Sequence, residues 1–132
     1  MRVVLDTNVI VAAFATKGLC LDIFEVCLLD HSIIISEYIL LEVKEKLIDK
    51  IHLTQSSVND IVSYLRDQAE VVIPEELHES VCRDKDDINI IGTALSGNAR
   101  FIITGDEDLL SLKKYKNVEI LTPREFWSKL SR

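Results

Sequence analysis

The chain has 132 residues, 48% of them hydrophobic and 28% charged, a balance that excludes a disordered polymer and suits one globular domain over residues 1–132. Its net charge of −7 weighs against a simple basic nucleic-acid surface. No apolar run reaches the ~18 residues of a membrane helix, and Met1-Arg2 leads straight into "VVLD" without the layout of a secretory leader, so a cytoplasmic protein with no membrane contact is expected.

The first element is a short apolar run, "RVVLD" (2–6), with the character of a buried strand. "LCLDIFEVCLLD" (19–30) has helical spacing at Leu19, Ile23, Val26 and Cys27; Cys20 and Cys27, seven apart on one face, are read as small core residues. Three cysteines, odd in number and without C-x-x-C spacing, argue against a disulfide framework. "SIIIS" (32–36) is β-branched and bounded by serines, a strand signal. Two amphipathic helices follow, over 37–51 and 54–69, the second with Thr54 or Ser56 as its cap. "EVVIP" (70–74) predicts a strand closed by Pro74. A helix over 87–96 stops at Gly97-Asn98. "RFIITGD" (100–106) is a strand ending in a turn, 106–112 a short helix, and "VEIL" (118–121) a last strand. Thr122 and Pro123 open a final helix to residue 130.

Five strand runs alternate with helices, and the runs are nearly all apolar, as when both faces of a sheet are covered. The pattern predicts a three-layer α/β/α sandwich around a mainly parallel sheet of about five strands.

Open parallel sheets bind ligands outside the carboxyl ends of their strands. Asp6 falls at that end of the first strand, Ser36 at that of the second and Asp106 just past the strand at 101–103. Two carboxylates distant in sequence thus share one sheet edge. Asp87 points between Ile90, Ile91, Ala94 and Leu95 on the helical wheel, toward the protein body, where a lone charge is costly. The alternative for the acids at 84, 86 and 87 is a favourable charge at a helix start, which Asp84 or Asp86 would serve equally well. Glu42 lies opposite the stripe of Leu40, Val43, Leu47 and Ile51, four residues before Lys46, and its spacing alone reads as an exposed ion pair. Three converging carboxylates, read with no His or Cys near them in sequence, call for a hard cation, Mg²⁺ or Mn²⁺, not zinc. His31, His52 and His78 lack ligand spacing and read as surface or structural.

Four segments, "VVLDTNVIVAAF" (3–14), "SEYILLEV" (36–43), "DKDDINIIGTAL" (84–95) and "FIITGDEDLL" (101–110), together resemble the PIN domain, and within it the toxin-like VapC-type ribonucleases of prokaryotic toxin–antitoxin systems. The resemblance runs from Arg2 to about Leu121. It implies an acidic metal site of Asp6, Glu42, Asp87 and Asp106, which overrules the spacing-based reading of Glu42, with Asn8, Ser36 and Thr104 as supporting polar positions. It implies a Mg²⁺- or Mn²⁺-dependent ribonuclease acting on single-stranded RNA, a cognate antitoxin and a homodimer. Asp84, Asp86 and Asp108 are left as an outer shell or as bystanders.

RNA would track basic residues such as Lys113, Lys114 and Lys116, or Lys44, Lys46 and Lys50; the plain alternative is a solvated face. Three other functions compete. A phosphoaspartate phosphatase would carry a second Asp two residues after the first, where this chain has Asn8. A receiver-type signalling domain would need an acidic pair after the first strand and an Asp after the third, and "VVIPEE" has none. A PIN fold that binds RNA or a partner without cutting is the third.

Overall fold

The computed structural model describes residues 1–130; positions 131 and 132, the end of the expected domain, lie outside the described residues. In chain order the elements are β1 (Arg2–Leu5), α1 (Thr7–Ala15), α2 (Leu19–Asp30), β2 (Ser32–Ile35), α3 (Glu37–Asp49), α4 (Gln55–Gln68) and β3 (Glu70–Val71). There follow α5 (Lys85–Ser96), β4 (Phe101–Ile103), α6 (Glu107–Leu110), β5 (Lys114–Tyr115), β6 (Val118–Leu121) and α7 (Pro123–Leu130), with a 3-10 turn at Glu79–Val81 before α5.

The strands form one sheet in the order β3-β2-β1-β4-β6-β5. All neighbours are parallel except β5 and β6. β1 lies between β2 and β4, with Val4 opposite both Ile34 and Ile102. Central strands in a covered parallel sheet face apolar layers on both sides. Val3, Val4 and Leu5, Ile33 to Ile35 and Phe101 to Ile103 are accordingly all buried. α5 packs on β1, β2 and β4, while α1, α2, α3, α4 and α7 pack in succession on one another and on β2, β3 and β6, giving the expected α/β/α sandwich. This strand order differs from the flavodoxin-like 2-1-3-4-5 of a receiver-type domain, so the topology removes that alternative.

Several elements differ from the sequence expectation. α1 escapes periodicity because Thr7, Val9, Ile10, Val11 and Ala13 bury residues around most of the helix, leaving no polar face to set a period. β3 keeps only two of the five expected residues. After Val72 N donates to Ile35 O, the chain leaves the sheet through Pro74, and Glu75 N donates to Gly92 O on α5. A Cβ on Gly92 would stand 2.4 Å from Glu75 O, so glycine is required for this close approach. β5 makes a sixth strand; two residues, one of them lysine, are too short and too polar to read as one. α3 ends at Asp49, two residues early, leaving Ile51 37% exposed rather than on the buried stripe. Thr54 is the α4 cap, its Oγ1 accepting from Ser57 N at 3.1 Å.

Candidate metal centre

Because β1, β2 and β4 are parallel, their carboxyl ends meet at one edge of the sheet, and each is followed by a side chain that caps a helix. Asp6 caps α1: Oδ1 accepts from Thr7 N at 2.7 Å and Oδ2 from Thr104 Oγ1 at 2.6 Å. Asp106 caps α6, accepting from Asp108 N at 2.8 Å and from Leu109 N at 3.4 Å. Thr104 joins the two, since its Oγ1 donates to Asp6 and accepts from Asp106 N at 2.9 Å. Ser36 caps α3, accepting from Ile39 N at 3.4 Å, and its hydroxyl also accepts from Thr93 Oγ1 at 3.1 Å. It thereby ties α3 to α5 beneath the site. Capping and site-building are thus one arrangement, not rival accounts of these residues.

Asp87 lies in the first turn of α5 and is 4% exposed, as its place among apolar neighbours predicts. Asp84 is the cap of that helix, its carboxylate accepting from Asp86 N at 2.9 Å. Glu42, half-buried on α3, accepts from Thr7 Oγ1 at 3.2 Å. The expected ion pair with Lys46 is therefore replaced: Lys46 Nζ donates to Asn8 Oδ1 at 2.8 Å. Both side chains turn toward α1, a helix that polar–apolar spacing does not reveal.

These residues line a cleft of about 90 Å³ formed by Asp6, Thr7, Asn8, Glu42, Lys46, Asp84, Asp86, Asp87, Ile90 and Asp106. Asp6, Glu42, Asp87 and Asp106 all open onto it, as does Asn8; Ser36 and Thr104 are fully buried and act from beneath. Asp84 and Asp86 also reach it, and Asp86 receives the Tyr38 hydroxyl. Carboxylate oxygens of Asp84, Asp87 and Asp108 lie within 4.8 Å of one another, although Asp108 is also held by Arg83 at 3.1 Å. Of the two expected lysine groups, only Lys46 reaches the cleft, while Lys116 lines a cavity with Arg100 at the amino ends of β4 and β6, the opposite sheet edge.

Crowding leaves a clear electrostatic mark. Burial, followed by Asp106, Asp84 and Asp6, pushes the Asp87 carboxyl up to about 7, and a hydrogen bond with Asp106 further favours its protonated form. Burial raises Asp6 above the ordinary carboxylate range against the lowering effect of its Thr104 and Thr7 bonds. Burial also raises Glu42, which Thr7 partly offsets. Negative charge in this cleft therefore exceeds what its own donors satisfy, and six carboxyl groups face one ammonium among the described residues. Contrary to the expectation of no cysteine near these acids, Cys82 Sγ lies 3.9 Å from Asp87 Oδ2, but it does not line the cleft. The cleft's oxygen-rich, under-neutralised donor set fits a hard divalent cation such as Mg²⁺ or Mn²⁺.

A family model described as PIN domain matches residues 2–108. The chain belongs to the PIN domain family. This PIN domain is 34% identical to the uncharacterized protein MJ1680 of Methanocaldococcus jannaschii, over 96% of this chain and 89% of that protein. Its fold is shared with solved structures of low identity. They include VapBC-1 from nontypeable Haemophilus influenzae (TM-score 0.66, 17% identity, 94% of this chain and 99% of that one). VapBC2 from Rickettsia felis, bound to a DNA fragment from their promoter, gives a TM-score of 0.64 at 19% identity, covering 92% and 98%. FitAcB from Neisseria gonorrhoeae gives 0.54 at 14%, covering 92% and 98%.

Proposed function

We propose that this PIN domain, a single domain over the whole chain, is a Mg²⁺- or Mn²⁺-dependent endoribonuclease that hydrolyses single-stranded RNA. Its role would be that of the toxin in a toxin–antitoxin pair. One observation carries the reading: Asp6, Glu42, Asp87 and Asp106, from four separate parts of the chain, open onto one small cleft at the carboxyl edge of the parallel strands. Those four side chains would hold the metal. A divalent ion bound there supplies an activated water and charge screening for phosphodiester hydrolysis.

The remaining residues prepare the site. Thr7 N and Thr104 Oγ1 each hold one oxygen of Asp6, fixing the carboxylate plane. Thr7 Oγ1 orients Glu42. Ser36 and Thr93 lock the helix bearing Glu42 to the helix bearing Asp87. Such preorganisation lowers the reorganisation needed when charge develops on the substrate.

The antitoxin partner is supported by the shared fold with VapBC and FitAcB structures. An antitoxin segment could offer an arginine to the carboxylates, and we propose a cytoplasmic homodimer as its target. No helix among the described residues is long and apolar enough to cross a membrane.

The decisive experiment is cleavage of a labelled single-stranded RNA in Mg²⁺. EDTA should abolish it, and Asp6→Asn or Asp87→Asn should lower it roughly 100-fold or more while circular dichroism remains unchanged. Full activity in both variants refutes the site. Co-purification with a small protein encoded beside this chain tests the antitoxin.

A further inference from the structure

The cleft contains one residue that a metal cage does not require. Among the described residues that line it, Lys46 is the single cation. It is half-buried on α3, one turn beyond Glu42, and it raises the cost of placing a divalent ion nearby. A lysine serving only to support the helix would pair with Glu42, four residues earlier on the same face. Here Glu42 takes the Thr7 hydroxyl instead, and Lys46 reaches across to α1. Among the described residues it makes no ion pair within 4.0 Å. Its hydrogen-bond partner is the neutral amide of Asn8, which accepts one of three N–H donors, while Glu42 and Asp6 feel its charge only through space.

We propose that Lys46 is the phosphate-engaging cation of the site, presenting its two remaining donors to a nonbridging oxygen of the RNA backbone. The assignment rests on the nuclease reading above. Asn8 holds the ammonium at the mouth of the acidic cleft, so that a phosphodiester entering it meets a positive charge beside the carboxylates. The alternative is a purely mechanical tie between α3 and α1. That tie needs a hydrogen bond but no charge, and the two accounts separate on that point.

Lys46→Gln removes the charge while keeping an amide able to bond Asn8. Its affinity for a fluorescein-labelled single-stranded oligoribonucleotide is read by anisotropy, with Ca²⁺ replacing Mg²⁺ to permit binding without turnover. Affinity should fall roughly tenfold, the loss of one charged hydrogen bond. The slope of log K against log salt should become shallower by about 0.7, one single-strand phosphate contact. KM should rise more than kcat falls, Mn²⁺ affinity measured by calorimetry without RNA should increase, and Lys46→Arg should restore RNA binding. A wild type that cleaves RNA, together with an unchanged salt slope in Lys46→Gln, overturns this assignment alone. A wild type that neither binds nor cleaves overturns the nuclease reading and this assignment with it.

Discussion

Replacing Asp87 by Asn should stabilise the metal-free protein, and the gain should depend on pH in a defined way. Asp87 is buried and its carboxyl sits at about 7 against an ordinary value of 3.8. Below pH ~4 the group is protonated in folded and unfolded chains alike and contributes nothing. Between about 4 and 7 the unfolded chain loses the proton while the folded chain keeps it, so wild-type stability declines as pH rises. Above 7 the penalty is complete and constant. The full displacement corresponds to roughly 4 kcal/mol, and solvent screening in an open cleft reduces this to about 2 kcal/mol. For 132 residues the unfolding entropy is about 0.28 kcal/mol/K, so the variant should melt about 7 °C above wild type at pH 8 in EDTA. The difference should shrink steadily toward pH 4. Thermal melts followed by circular dichroism across this range measure it. A difference that does not vary with pH, or a variant less stable at pH 8, would refute the crowded-carboxylate account.

Excess Mn²⁺ should act in the opposite sense on the wild type: at 100 times its dissociation constant it should add about 2.7 kcal/mol, and Asp6→Asn should lose most of that gain in the same melts. Thr104→Val removes the hydroxyl that serves both Asp6 and Asp106 N, and should cost about 2 kcal/mol in urea denaturation, with no measurable loss counting against the bridge. Phe126→Ala empties a fully buried position packed edge-on against Phe101 at 5.8 Å, and should cost about 3–5 kcal/mol without changing metal affinity. Gly92→Ala forces a methyl group against Glu75 O and should cost about 1–3 kcal/mol, read as a lowered urea midpoint.

The sheet was legible in the sequence where strands are mostly apolar on both faces, with Arg2, Ser32 and Glu119 as the polar exceptions in residues 2–5, 32–35, 101–103 and 118–121. Elements that break the simple periods were not: α1 is buried around too much of its surface, and β5 is too short. The same gap explains why spacing alone read Glu42 as an exposed ion pair. On its own helix it lies opposite the main stripe, but α1 stands on that side and supplies Thr7 and Asn8. Burial of Asp87 was legible because its neighbours three and four positions on are core residues. The presence of Asp84 and Asp86 in the cleft was not, since capping and cleft-lining leave the same acidic signature at a helix start.

The flanks of the sheet, β3 and β5, are two residues long each, and β5 carries a lysine while β3 gives way to Pro74. A visiting chain would find too few unpaired peptide groups there to extend the sheet, so fibre-like stacking is discouraged at both margins. Associations of this molecule are thereby steered to its helical exterior and its clefts, where side chains rather than backbone decide who binds.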